Sequence, residues 1–88
     1  MDTNGIKELT EKLKKINGKN VWIHIDHALY GSQNLKCAFH LISNEERLGF
    51  LIGEQEIFIE KDKICNVGAQ DDLFYFADEL MCIKIRKM

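Results

Sequence analysis

The chain has 88 residues, 45% of them apolar and 30% charged, with a net charge of −2. That is enough for one domain with an adequate core, and the composition is that of a globular protein, not a disordered or membrane one. No apolar run approaches the roughly 18 residues a membrane span needs, and no basic start followed by an apolar stretch marks a leader, so the expected location is cytoplasmic.

Three cysteines, Cys37, Cys65 and Cys82, are odd in number and widely spaced, which does not describe a disulfide framework. The charge is uneven along the chain. Residues 1–19 carry five lysines against three acids, and the tail adds Lys84, Arg86 and Lys87. The segment between holds eleven acids against four basic residues. This acidic middle argues against nucleic acid as a partner, because nucleic-acid binders present a basic face of their own. Ten lysines against two arginines, eleven isoleucines and no proline suggest a low-GC bacterial, phage or mobile-element origin.

In chain order, the spacing of Ile6, Leu9, Leu13 and Ile16 predicts an amphipathic helix over about residues 4–17. Thr3 or Asn4 is the expected cap, and Gly18 the expected left-handed stop. Glu8–Lys12 and Glu11–Lys15 are expected ion pairs one turn apart. With four apolar residues the helix is marginal alone and must dock on the rest of the fold.

From residue 20 the period changes to two. Val21, Ile23 and Ile25 alternate with Trp22, His24 and Asp26, a strand with one buried face. His27 to Asn34 reads as a loop. Leu35 to Ile42 is a second strand, Leu48 to Ile52 a third, and Glu56 to Glu60 a fourth, reached through a turn at Gly53-Glu54-Gln55. A charged Lys61-Asp62-Lys63 link leads to a short strand at Ile64 to Val67. Residues 71–78 fit either an Asp-capped helix or a strand, with Phe74-Tyr75-Phe76 favouring the strand. Met81 to Arg86 is the last strand.

A leading helix and short strands separated by turn signals predict a mainly β (α+β) fold. It is read as a single domain, 1–88, with a five- to six-stranded antiparallel barrel over about residues 20–87. This order resembles the small SH3-like and Sm-like barrels over nearly the whole chain. The signalling SH3 pattern Ala-Leu-Tyr-Asp-Tyr is matched over Ala28-Leu29-Tyr30 and departs at Gly31, and the Sm RNA-binding loop signatures find no matching positions. The resemblance therefore implies an architecture and assigns no residue a role.

The stretch Trp22-Ile23-His24-Ile25-Asp26-His27 is where chemistry is most concentrated. On a strand His24 and Asp26 share a face, and His40 from the second strand beside them would complete a facial metal triad. The spacing favours the plainer reading of a solvated strand face, since neither His-x-x-x-His nor Cys-x-x-Cys is present. No metal or other cofactor is expected. No cysteine has a base fixed beside it by motif, and Cys82, opposite in face to Ile83 and Ile85, is expected to be the most exposed. No phosphate or dinucleotide fingerprint occurs, so the chain is read as a non-enzyme.

Trp22, Tyr30 and Tyr75 fall out of core register and are of the types that anchor interfaces, and Lys84 and Arg86 share a strand face. Trp22 reads equally well as covered by the helix. The expected function is a protein-binding module, with a phage or mobile-element inhibitor or adaptor acting on a host protein as one form. The expected partner is another protein, a second copy of the chain included. The alternative is an Sm-like or OB-like RNA or single-stranded DNA binder, with the same aromatics as stacking platforms and Lys84, Arg86 and Lys87 on phosphates. A small metal protein using His24, Asp26 and His40 is the third reading.

Overall fold

The computed structural model describes residues 3–88, with side chains from Gly5 onward. One helix, α1 (Thr3–Lys15), precedes eight strands: β1 (Asn20–His27), β2 (Gly31–Ala38), β3 (Leu41–Ser43), β4 (Arg47–Ile52), β5 (Gln55–Glu60), β6 (Asn66–Gln70), β7 (Leu73–Ala77) and β8 (Met81–Lys87). A single 3₁₀ turn, Lys61–Lys63, links β5 to β6. The cap expected at Thr3 or Asn4 lies outside the described side chains.

The strands form two antiparallel sheets, one in the order β2-β1-β8-β7-β6 and one in the order β3-β4-β5. They meet at a corner two residues wide. The Phe39 N–H donates to the Lys19 carbonyl (2.8 Å) and the Phe39 carbonyl accepts from Gly18 (2.7 Å), so Phe39 still belongs to the β1 side. One residue later the His40 carbonyl accepts from Leu51 (3.0 Å) on β4. The chain thus leaves one sheet and enters the other without a loop. Asn17 ties the helix exit to the same corner, its side-chain oxygen accepting from the Leu41 N–H (2.8 Å).

Alternation explains which faces are buried. Ile23, Ile25, Phe74, Phe76, Ile83 and Ile85 from the large sheet meet Leu48, Phe50 and Ile59 from the small one, and Phe39 at the corner is fully buried. The Phe39 and Phe50 rings lie 6.0 Å apart, joining the sheets through one core. Helix α1 packs beside β6 and β3 and closes this core with Ile6, Leu9 and Leu13, while Ile16 in the following turn is equally buried. Gly18 follows in the left-handed conformation (φ 84°), the stop its position predicts. Thr10 is also buried, and its hydroxyl donates to the Ile6 carbonyl (2.8 Å), which satisfies the one polar side chain the helix buries among the described residues.

The coarse expectation therefore holds: a mainly β fold with antiparallel sheets and one N-terminal helix. Its details differ. Among the described residues there are eight strands rather than five or six, and no ladder joins β5 to β6 to close a barrel. The loop expected at 27–34 is a short turn, and β2 begins at Gly31, because Gly31 to Asn34 pair with β1 although they carry no apolar residue. The second strand expected from Leu35 to Ile42 is broken by the corner. The strand expected at Ile64 to Val67 begins later, at Asn66. Residues 73–77 are a strand, reached through a turn where Asp71 has positive φ. On the helix, Glu11 pairs with Lys14 (3.1 Å), three residues away, not with Lys15.

Candidate functional site

The outward face of the five-stranded sheet collects most of the residues singled out above. In an antiparallel ladder directly opposed residues share a face, so the register defines rows across the strands. One row runs Lys36, Trp22, Arg86, Leu73 across β2, β1, β8 and β7. The next runs Asn34, His24, Lys84, Tyr75 and ends on Gly68 of β6. The third holds Ser32, Asp26, Cys82 and Ala77.

Trp22 is 48% exposed on this face and is not covered by α1. Its place follows from the pleat: Val21 and Ile23 take the core positions on either side. The Lys36 ammonium stands 5.2 Å from the centre of the indole, within cation–π range. Tyr75 is half-buried for a different reason. A Cβ at Gly68 would collide with the far end of the Tyr75 ring, so that ring lies across the glycine. Between the aromatics the His24 Nδ1–H donates to Asn34 Oδ1 (2.7 Å), which leaves Nε2 and the Asn34 amide nitrogen facing outward. Trp22, His24, Lys84 and Arg86 border a shallow open groove of about 360 Å³ with Leu73 at its end.

Of the eleven acids between residues 20 and 83, only Asp26 takes an outward position in these rows, and it accepts a hydrogen bond from the Ser32 hydroxyl (3.1 Å). The others occupy β5, the turns and the 3₁₀ link. The face thus carries Lys36, Lys84 and Arg86 against one carboxylate, in a chain that is acidic as a whole.

Four of the five expected interface residues therefore converge: Trp22, Tyr75, Lys84 and Arg86. Tyr30 does not join them. It is 84% exposed in the β1–β2 turn, its ring 4.6 Å from that of His27. Leu29 beside it and Leu80 in the adjoining turn are exposed as well, the two turns being joined by a hydrogen bond from the Ala28 N–H to the Leu80 carbonyl (2.8 Å). Lys36 and Asn34 were missed in sequence because they fell in or just after a presumed loop. Only the register of the folded sheet, which sets them opposite Trp22 and His24, identifies them.

The metal triad does not assemble. His24 faces Asn34 and Lys84, whereas His40 lies in the corner between the sheets. Among the described residues no three His, Cys, Asp or Glu side chains are placed to hold a metal ion. The cysteines are free, and Cys65, not Cys82, is the exposed one, its thiol 3.6 Å from the Ala77 carbonyl. Cys82 is partly covered by its neighbours in the sheet.

A larger cleft, about 730 Å³, runs between α1 and the β3–β4 turn, with Lys7, Thr10 and Lys14 facing Glu45 and Asp62. The Thr10 hydroxyl in its lining is spent on the helix backbone. Among the described residues no helix is long and apolar enough to cross a membrane. No family model matches the chain, and no curated protein or solved structure matches it either.

Proposed function

We propose that the chain is a non-enzymatic binding module and that the outer face of the five-stranded sheet is its working surface. The observation that carries this is the convergence of Trp22, Tyr75, Lys84 and Arg86, with Trp22 half in solvent at the rim of an open groove. A face needed only for solubility is served by polar residues, and nothing in the pleat requires an indole there. Tryptophan and arginine are the types that dominate binding energy where they become buried by a partner. A broad, shallow groove suits a macromolecule laid across the strands better than a small substrate needing enclosure. The leading helix and the bent β2–β3 strand keep the likeness to SH3-like and Sm-like barrels as part of this proposal.

The test uses two double variants of the full chain, Trp22→Ala/Arg86→Ala on the face and Lys12→Ala/Lys15→Ala on the helix. All four positions are solvent-facing, so both variants should keep the wild-type circular dichroism and melt within a few degrees of it. Immobilised wild type and helix variant are expected to retain the same macromolecule from an extract of the source organism, and the face variant to lose it. Equal retention by the face variant overturns the assignment of this surface.

A further inference from the structure

We infer that the occupant of this face is a single-stranded nucleic acid, a conclusion that rests on the face being the working surface. The first argument is charge. The acidic middle of the chain argues against nucleic acid only if its acids share the surface with the aromatics, and they do not. Lys84 and Arg86 stand in neighbouring rows on β8, Lys36 stands on β2 across Trp22 from Arg86, and the outward acid, Asp26, lies in the third row and is engaged by Ser32. A polyanion crossing from β2 to β7 meets Lys36 on β2 and then Lys84 and Arg86 on β8.

The second argument is shape and chemistry. Tyr75 sets the end of its half-exposed ring over Gly68, and Trp22 offers an indole two strands away. From strand and residue spacings the two are roughly 12 Å apart, room for more than one base between them. Unstacked bases bind such platforms whatever their sequence, while cations between the platforms take the phosphates. His24 Nε2 and the Asn34 amide, held by their mutual hydrogen bond, present an acceptor and a donor to base edges.

A protein partner fits less well. The centre of a protein interface is depleted in lysine, whereas Lys84 stands at the centre of this face between the two aromatics and Lys36 stands beside Trp22. A duplex fits less well too, because its bases are stacked away from a flat sheet. The acidic turns at Asp71-Asp72 and Asp78-Glu79, at the two ends of β7, disfavour a backbone running along that strand. They leave a path across the sheet.

The experiment titrates the full chain with fluorescein-labelled twelve-nucleotide oligo(rU) and oligo(dT), read by anisotropy and by quenching of Trp22. Saturable binding with quenching is expected, and affinity should fall by roughly 2 log units per tenfold rise in salt, as three cation–phosphate contacts dictate. Lys84→Glu/Arg86→Glu should weaken binding at least tenfold and Trp22→Ala about tenfold, with Lys12→Glu/Lys15→Glu unchanged. Preference for oligo(rU) identifies RNA as the ligand and preference for oligo(dT) identifies DNA; either supports the inference.

It is overturned if neither oligonucleotide binds, if a twelve-base-pair duplex or oligoglutamate binds as tightly, or if the helix variant loses as much as the face variant. Nuclease treatment of the extract separates this inference from the reading beneath it. A protein still retained by wild type and lost by Trp22→Ala/Arg86→Ala leaves the binding surface standing and removes the nucleic acid.

Discussion

Two glycines show how one missing side chain shapes each sheet. Gly49 on β4 faces Phe58 on β5, and a Cβ there would run into the Ile57 carbonyl and the Phe58 Cα, which are backbone and cannot swing aside. Phe58 covers the glycine, with the Arg47 guanidinium 4.3 Å from the ring centre. Gly68 opposes Tyr75 in the same way, but the atoms it would meet are at the far end of a side chain. Gly49→Ala should therefore destabilise the protein by about 2 kcal/mol, as overpacking does, and Gly68→Ala by less than half of that. Urea denaturation of the two variants checks this. Equal midpoints would mean that β4 and β5 do not approach as closely as the sheet requires.

Helix α1 is the clearest case of an element that the sequence specifies but does not stabilise alone. Thirteen residues with a narrow apolar stripe are too few for an isolated helix, so its persistence depends on docking. Leu13 is wholly buried, and Leu13→Ala should cost roughly 2–4 kcal/mol, with Leu9→Asp costing more. An unchanged denaturation midpoint in Leu13→Ala would show the helix to be a detached arm. The β1–β2 hairpin is the opposite case. Gly31-Ser32-Gln33-Asn34 have no strand pattern, and they are a strand because β1 offers them backbone partners.

At the scale of the molecule, the two sheets share one core and one strand-to-strand corner. Phe39 and Phe50 touch across the junction, and α1 packs beside β6 of one sheet and β3 of the other. Such an arrangement should unfold as a unit. Trp22 fluorescence, which reports on the large sheet, and far-ultraviolet circular dichroism, which reports on the whole chain, should give superimposable thermal transitions. An earlier transition in either probe would mean that the small sheet and the large one have separate stabilities. The same scale governs charge. A net balance along the chain says little about a face, because alternate residues of a strand point opposite ways and turns carry their acids to the perimeter.

What the residues determine unaided is local and periodic. The helix stripe with Gly18 at its end, and the alternation of β1 and β8, are legible because burial repeats every 3.6 or every two residues along the backbone itself. So is the outward position of Trp22, His24 and Asp26 relative to Val21, Ile23 and Ile25. Whether that outward face is covered is a different matter, since Trp22 reads the same in sequence under a helix or in solvent. Tertiary structure alone decided that α1 lies beside β6 and β3 and leaves the indole free, that Lys36 and Asn34 stand opposite Trp22 and His24, and that His40 is carried away from them at the corner. These are pairings between residues distant in the chain. They depend on register and on which sheet claims each strand, and no local pattern encodes either.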